Sequence, residues 1–176
     1  YSEKESQSSV KITAKNNSYP NYKRANNIQY AWKTSYEKLL VNRHLLPKGF
    51  ALTKVEEGSF ENWLRCLPLK PKGTPIKLFN GENKMIQALN AGVLDVDVGK
   101  TDLQQCADAV MRLKAEYLYS KKKFANIHFN YTSGFKAEYS KWREGYKIGV
   151  KDNKAYYYKK SKSTDKTYEG FRKYLW

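Results

Sequence analysis

The chain has 176 residues and a formal net charge of +16, with 33 lysines and arginines against 17 acidic residues. A hydrophobic fraction of 40% and an aromatic fraction of 15% are typical of one globular domain with a buried core. No apolar stretch has the length of a transmembrane helix. The two cysteines form no CxxC motif and no Cys/His cluster, so we expect no metal site and no cofactor.

The N-terminal part predicts a polar lead followed by an amphipathic helix. Residues 1–27 are polar and aperiodic, which favours a flexible segment, and residues 28–176 are predicted to form a single α+β domain. Apolar residues recur at helical spacing in residues 28–44, and Pro47 and Gly49 would end that helix. Residues 50–55 then read as a short strand.

The next segment predicts a short helix, a proline-rich loop and a hairpin. Ser59 would cap a helix over residues 60–65, with Cys66 at its end. Three prolines and a glycine make residues 67–75 an extended loop. Lys70 and Lys72 on this loop could contact an acidic ligand, or be plain solvated lysines. Asn80 and Gly81 predict a turn that follows a strand at residues 76–79. Residues 83–89 are either the return strand of this hairpin or a helical turn, and we favour the strand.

Residues 93–120 give the clearest pattern in the chain. Alternating apolar residues at 93–98 predict a strand that places Asp95 and Asp97 on one face. Gly99 ends this run, and Thr101 or Asp102 would cap a helix from Leu103 onwards. The apolar face of that helix is wide, so we expect a buried helix with Cys106 near its start.

The C-terminal part predicts a strand, a hairpin and a last helix. Residues 124–131 alternate as a strand, residues 132–134 as its turn, and residues 136–142 as a helical turn. Residues 146–150 and 155–159 flank a hairpin turn at Asp152 and Asn153. Ser163 and Thr164 would cap a helix over residues 165–175, and the apolar end at Trp176 predicts that the chain continues or docks on a partner.

Cys106 is the candidate nucleophile. A thiol near a helix N-terminus can be activated by the helix dipole and a nearby base, although a lone cysteine on an apolar face also suits simple packing. His128, on the polar row of its predicted strand, is the candidate base, or else a half-exposed strand histidine. Asp95 and Asp97 could bind substrate as paired carboxylates, or be solvated or capping residues.

Two further sequence features are a possible disulfide and a possible phosphate-binding loop. A disulfide between Cys66 and Cys106 cannot be decided from sequence. The GKTD tetrapeptide at Gly99 is not a phosphate-binding loop, because the motif needs a glycine where the chain has Leu94.

Three segments resemble an uncharacterised family of bacterial envelope proteins, a domain of unknown function. They are FENWLRCLPLKPKGTPIKLFNGENK, VLDVDVGKTDLQQCADAVMRLKAEYLYS and IHFNYTSGF, and the similarity runs from about residue 47 to about residue 142. That family has features similar to papain-like amidases of the NlpC/P60 kind, with a cysteine that opens a helix and a histidine on a later strand. The resemblance places the nucleophile at Cys106, and the family has a histidine at the position of Asn90, which we therefore include among the substrate-binding candidates.

The resemblance implies a papain-like α+β fold, in which the cysteine helix packs on an antiparallel sheet. We expect the 176 residues to contain only part of that fold. It also implies a cysteine amidase or peptidase of the cell envelope, periplasmic or lipid-anchored, that acts on peptide or peptidoglycan amides.

Two alternatives belong to other functional classes. One is a non-catalytic binding or assembly module of an envelope complex, with peptidoglycan or a protein as its partner. The other is a polyanion-binding protein, which the net charge and the tyrosines would suit. Nucleic acid is the less favoured partner, because the quoted segments are more specific than composition.

Overall fold

The computed structural model describes residues 22–99, 101–102, 105–159 and 165–176. Its helices are α1 (Phe60–Arg65), α2 (Cys106–Ser120), α3 (Tyr139–Arg143) and α4 (Tyr168–Leu175), with 3₁₀ turns at Leu40–Asn42 and Phe124–Asn126. Its strands are β1 (His128–Asn130), β2 (Lys136–Glu138), β3 (Tyr146–Lys151) and β4 (Lys154–Lys159). The coarse prediction of a mixed α+β domain is confirmed.

The predicted helix over residues 28–44 is wrong. This segment is irregular apart from the 3₁₀ turn, yet Ile28, Trp32 and Leu39 are buried. The Trp32 indole N–H donates to the Asp95 carbonyl at 2.8 Å, and Leu39 forms an isolated bridge with Pro68. Contacts with distant residues therefore hold this segment in place of local helical pairing.

The proline-rich loop lies at the centre of this half of the domain. Leu67 and Leu69 are buried, and Leu69 forms a bridge with Leu94. Its backbone pairs on one side with residues 38–40 and on the other with residues 93–95. The extended loop is as predicted, but residues 93–98 meet it at a single bridge and do not form the predicted strand.

The other predictions for this half have mixed outcomes. The helix over Phe60–Arg65 and its cap are confirmed, since Ser59 accepts a hydrogen bond from the Asn62 N–H. Asn80 and Gly81 do make a turn, closed by a bridge between Lys77 and Asn83. The return strand over residues 83–89, of which only Asn83 is in a bridge, and the strand over residues 50–55 are wrong, because both segments are otherwise irregular and largely exposed.

Residues 22–27, placed by sequence in the polar lead, contact the core. Tyr22 and Ala25 pack against buried residues. The Tyr22 N–H donates to Asn42 Oδ1 at 2.9 Å, and the Asn42 amide returns a bond to the Tyr22 carbonyl at 2.8 Å. The rest of the predicted lead, residues 1–21, lies outside the described residues.

Helix α2 is buried only in its C-terminal half. Gln105 is its N-cap, and the Gln105 N–H donates to Asp108 Oδ2 at 3.3 Å. Val110 is 64% exposed, whereas Arg112, Ala115 and Glu116 are buried. The prediction of a largely buried helix is wrong in its first two turns, and the predicted start at Leu103 lies outside the described residues.

The C-terminal half contains two separate antiparallel sheets. Strand β1 pairs with β2 and β3 with β4, in registers that place His128 opposite Glu138 and Tyr146 opposite Lys159. The predicted strand over residues 124–131 is confirmed only as β1, because a 3₁₀ turn precedes it, and residues 136–142 divide into β2 and α3.

The predicted hairpin of residues 146–159 is confirmed. Asp152 and Asn153 both have positive φ, 50° and 59°, as its tight turn requires. On β4, Tyr156 and Tyr158 are exposed, whereas the Tyr157 hydroxyl bonds the backbone of β2.

Helix α4 begins later than predicted. It starts at Tyr168 with Thr167 as N-cap, and the Thr167 hydroxyl accepts from the Gly170 N–H at 3.0 Å. Asp165 lies before the helix and accepts hydrogen bonds from the Thr167 N–H and hydroxyl. The predicted capping residues Ser163 and Thr164 lie outside the described residues.

The interior consists of two aromatic-rich clusters. The first contains Ile28, Trp32, Leu39, Trp63, Cys66 and Leu67. The second contains Ala115, Ile127, Tyr139 and Phe171. Helix α2 contributes side chains to both clusters and Tyr168 contacts both, so α2 and α4 connect the two halves of the domain. Among the described residues, no helix has the length and apolar character to span a bilayer.

Candidate functional site

Cys106 is the first residue of α2, and its side chain is exposed. The first N–H groups of a helix have no acceptor within the helix, so this end can hold a developing negative charge. Asp108 already offers its carboxylate there, to the Gln105 N–H. The exposed position makes the thiol accessible to a substrate or an electrophile.

A concave pocket of about 680 Å³ runs beside the first turns of α2. This aromatic pocket is lined from α2 by Asp108, Met111 and Arg112, and from the sheets, α3 and α4 mainly by aromatic residues. These are Phe129, Tyr131, Trp142, Tyr158, Tyr174 and Trp176. Lys147 lies 3.1 Å from the centroid of the Trp142 ring. The volume is in the range of small-ligand sites, and the lining combines apolar faces with a few polar groups.

His128 lies on exposed β1, next to the aromatic pocket but outside its lining. Phe129 and Asn130, the next two residues of β1, both line the pocket. The structure thus brings the strand of the candidate base to the pocket beside α2, although His128 itself is not among the residues that line the pocket.

Asp97 forms an ion-pair site with two arginines. Its Oδ1 accepts from Arg172 Nη2 at 2.9 Å, its Oδ2 also pairs with Arg172, and Arg112 donates to its carbonyl oxygen. The hydrogen bonds from Arg172 lower the pKa of the Asp97 carboxyl to about 2, against a smaller raising effect of burial. The same bonds raise the pKa of Arg172 above its usual value. Asp97 therefore carries a negative charge that is already compensated.

Beneath this ion pair lies a buried carboxyl group. Glu116 is fully buried; its Oε1 accepts from the Tyr168 hydroxyl at 2.8 Å and lies 3.5 Å from Arg112 Nε. Burial raises the pKa of the Glu116 carboxyl, and the hydrogen bond from Tyr168 and the nearby arginines only partly offset this. No described residue donates to Glu116 Oε2.

Asp95 and Asn90 have local structural partners. Asp95 Oδ2 accepts from the Thr34 hydroxyl at 2.7 Å and the Ser35 N–H at 3.0 Å, so it caps the turn at residues 34–36. The Asn90 amide donates to the Thr74 carbonyl at 2.9 Å, and its buried Oδ1 has no partner among the described residues. Asp95 bonds one turn and Asp97 bonds α4, so the two carboxylates have separate partners.

Both cysteines are free thiols, and their surroundings differ. Cys66 is fully buried at the C-cap of α1, and burial raises the pKa of its thiol. It belongs to the first core cluster. Reagents in solution will therefore reach Cys106 in the folded protein and leave Cys66 unmodified.

Sequence reasoning missed the cluster of Arg112, Glu116, Tyr168 and Arg172. Arg112 and Glu116 stand four residues apart on α2, a spacing that indicates a helical ion pair. Such pairs usually lie on the surface, and only the three-dimensional structure shows this one to be buried. Among the described residues, no group of three or more His, Cys, Asp and Glu side chains is placed to hold a metal ion.

The family model described as Domain of unknown function (4846) matches residues 40–176. The match covers more than half of the chain, so the chain belongs to this family. The matched region contains all of the segment for which the sequence predicted a resemblance, about residues 47–142, and continues to residue 176. No curated protein and no solved structure matches the chain.

Proposed function

We propose that this domain is a papain-like cysteine amidase or peptidase of the cell envelope, periplasmic or lipid-anchored, with Cys106 as its nucleophile. One observation supports this above the others: Cys106 is exposed at the first residue of a 15-residue helix whose next turns line a pocket of ligand size. The proposed substrates are peptide or peptidoglycan amides, whose side chains or sugar rings would lie against the aromatic lining.

The chemistry requires three groups around the scissile bond. The Cys106 sulfur attacks the amide carbonyl carbon, and the free N–H groups at the start of α2 stabilise the oxyanion. The tetrahedral intermediate collapses to a thioester as the amine leaves with a proton from the base. Water then cleaves the thioester, which releases the carboxylic acid and restores the thiol. His128 is the base we propose, and it would have to turn towards α2 or act through water.

The test compares amide hydrolysis by the wild type, Cys106→Ser and Lys154→Gln. Muropeptides and short peptide amides are incubated with each protein, and free amines are measured by mass spectrometry. We expect Cys106→Ser to lose at least about a hundredfold in rate while it keeps the thermal midpoint of the wild type. Lys154, which is exposed beside the β3–β4 turn and does not line the pocket, serves as the control. Equal turnover by the wild type and Cys106→Ser would exclude the role of Cys106.

The second candidate is a non-catalytic binding module that uses the same pocket. The lining favours it, because no histidine is among the described residues that line the aromatic pocket. In that case muropeptides would bind to the wild type and to Cys106→Ser with equal affinity, and neither protein would release free amines.

A further inference from the structure

A second and larger concavity lies on the opposite half of the domain. This basic groove, of about 1630 Å³, runs between residues 22–45 and residues 71–93. Pockets for small ligands are typically about 300–1,000 Å³, so the groove has room for an extended ligand. Cys106 and the aromatic pocket residues do not line it. Its function is therefore a separate question from the proposed hydrolysis.

The groove is strongly cationic. Five lysines and arginines line it, against the single carboxylate of Glu37: Lys23, Arg24, Lys38, Arg43 and Lys72. His44 lines it as well. None of the five cations has an ion pair with a described residue. A concave surface with uncompensated positive charge concentrates the field and attracts anions.

Arg43 is a cation of the groove whose position is fixed by a hydrogen bond. Its Nη2 donates to the Lys70 carbonyl at 2.7 Å, which holds the half-buried side chain in place. Its Nη1 lies 3.5 Å from where a Cβ on Gly92 would be, so the guanidinium packs close to that glycine. The remaining N–H groups have no acceptor among the described residues. A guanidinium held by one bond keeps a fork of donors suited to a carboxylate.

The other lining groups favour a peptide over a nucleic acid. Single-stranded nucleic acid binds through exposed aromatic faces on which bases stack. Here Trp32 is buried, with its indole N–H bonded to the Asp95 carbonyl, and Tyr30 packs in the first core cluster. Asn26 and Gln29 are exposed amides along the groove. Amide side chains donate and accept hydrogen bonds, as peptide bonds require, whereas a phosphate backbone only accepts.

We propose that the basic groove binds an acidic peptide segment, whose carboxylates pair with Arg43 and Lys72 and whose backbone lies along Asn26 and Gln29. Lys72 stands in an exposed turn within the proline-rich loop, so it can reach a ligand with little change in the fold. Lys72 is also one of the two loop lysines that, from the sequence, could contact an acidic ligand.

The test measures binding of a fluorescently labelled hexaglutamate peptide by anisotropy at low ionic strength. Lys72→Gln and Arg43→Gln should each weaken binding about fivefold or more, and the matched control Lys154→Gln should change it less than about twofold. If Arg43→Gln lowers the thermal midpoint, the result for Lys72→Gln decides the test. Lys72 is exposed in a turn, so its replacement should leave the fold unchanged.

Three results would overturn the proposal. One is the absence of hexaglutamate binding by the wild type up to millimolar concentration. Another is an equal loss in Lys154→Gln and Lys72→Gln, which would indicate diffuse attraction to the whole cationic surface. The third is tighter binding of a single-stranded oligonucleotide of equal charge that competes with the peptide, which would assign the groove to nucleic acid.

Discussion

Asp97 and Arg172 join parts of the chain that are 75 residues apart. The Asp97 side chain is 57% exposed, whereas that of Arg172 is only 15% exposed. Arg112, which also contacts Asp97, is almost fully buried. The carboxylate therefore compensates two cations that have little access to water. A charge in this position stabilises the docking of α4 more than an ordinary surface pair would.

Replacement of Asp97 by asparagine should destabilise the fold in a pH-dependent way. The folded-state pKa of about 2 lies below the unfolded value, so the ionised carboxylate contributes stability above about pH 4, and this contribution is lost as the pH falls towards 2. After allowance for solvent screening, we expect Asp97→Asn to lower the free energy of unfolding by about 1 kcal/mol at pH 7, with the difference vanishing near pH 2. Urea titrations at several pH values measure this.

The matched control is Asp152→Asn in the hairpin turn, where asparagine also tolerates the positive φ of 50°. Equal stability of Asp97→Asn and the wild type at pH 7 would mean that the ion pair contributes nothing.

Glu116 should tolerate glutamine better than alanine. Glutamine keeps an acceptor for the Tyr168 hydroxyl, whereas alanine leaves that hydroxyl and Arg112 short of a buried partner. We expect Glu116→Ala to cost about 2–4 kcal/mol of unfolding free energy and Glu116→Gln about 1 kcal/mol or less at pH 7. Denaturant unfolding of both variants measures the difference.

The pH dependence of Glu116→Gln gives a second check. The folded-state pKa of Glu116 is raised, so the wild type holds its proton more tightly when folded and loses stability as the pH rises above about 4.5. Glutamine does not titrate. The stability of Glu116→Gln relative to the wild type should therefore increase from pH 4 to pH 7, and a decrease would contradict the burial argument.

Among the secondary-structure elements, α1 should depend on its N-cap residue for stability. Ser59 accepts from the Asn62 N–H at 3.1 Å, and the helix it caps contributes the fully buried Trp63. Ser59→Ala should lower the free energy of unfolding by about 1 kcal/mol, because one N–H of the first turn loses its acceptor. Chemical denaturation measures this, and Ser35→Ala, at an exposed position, is the control. An equal effect at both positions would refute the cap.

Elements with a local chemical cause could be predicted from sequence. Ser59 begins α1 through its own side chain, and Asp152 and Asn153 make the hairpin turn because both tolerate positive φ. Elements that depend on distant partners could not. Residues 28–44 have helical spacing, but the Trp32 indole bonds Asp95 across 63 residues, which no local pattern encodes.

Only part of the candidate site could be predicted from the sequence. Local signals predict Cys106 near the start of a helix that begins at Leu103, and the structure has Cys106 as the first residue of α2 with Gln105 as N-cap. The exposure of Cys106 could not be predicted, because the periodicity of α2 suggests an apolar face through Val110 that the fold leaves in solvent. The roles of Asp97 and Glu116 depend on arginines and a tyrosine from α2 and α4, which come together only in the folded chain.

At the scale of the molecule, the net charge of +16 should limit stability. Like charges repel in the compact state, and salt screens this repulsion. We expect the thermal midpoint to rise by a few degrees, about 2–5 °C, between about 0.05 and 0.5 M sodium chloride. Differential scanning calorimetry measures this, with equal osmolality of sucrose as the control for solute exclusion. A midpoint that falls with salt would mean that the ion pairs outweigh the repulsion.

The proposed function requires that the fold turn Cys106 into a reactive nucleophile. The measurement is the rate of iodoacetamide alkylation of Cys106 at pH 7 in the native chain, against a synthetic peptide of residues 102–110. Peptide mapping separates Cys106 from Cys66, which is fully buried. We expect the native chain to react at least about tenfold faster than the peptide, because only the fold supplies the helix N-terminus and the pocket. An equal or slower rate would contradict the proposed function and favour a binding module.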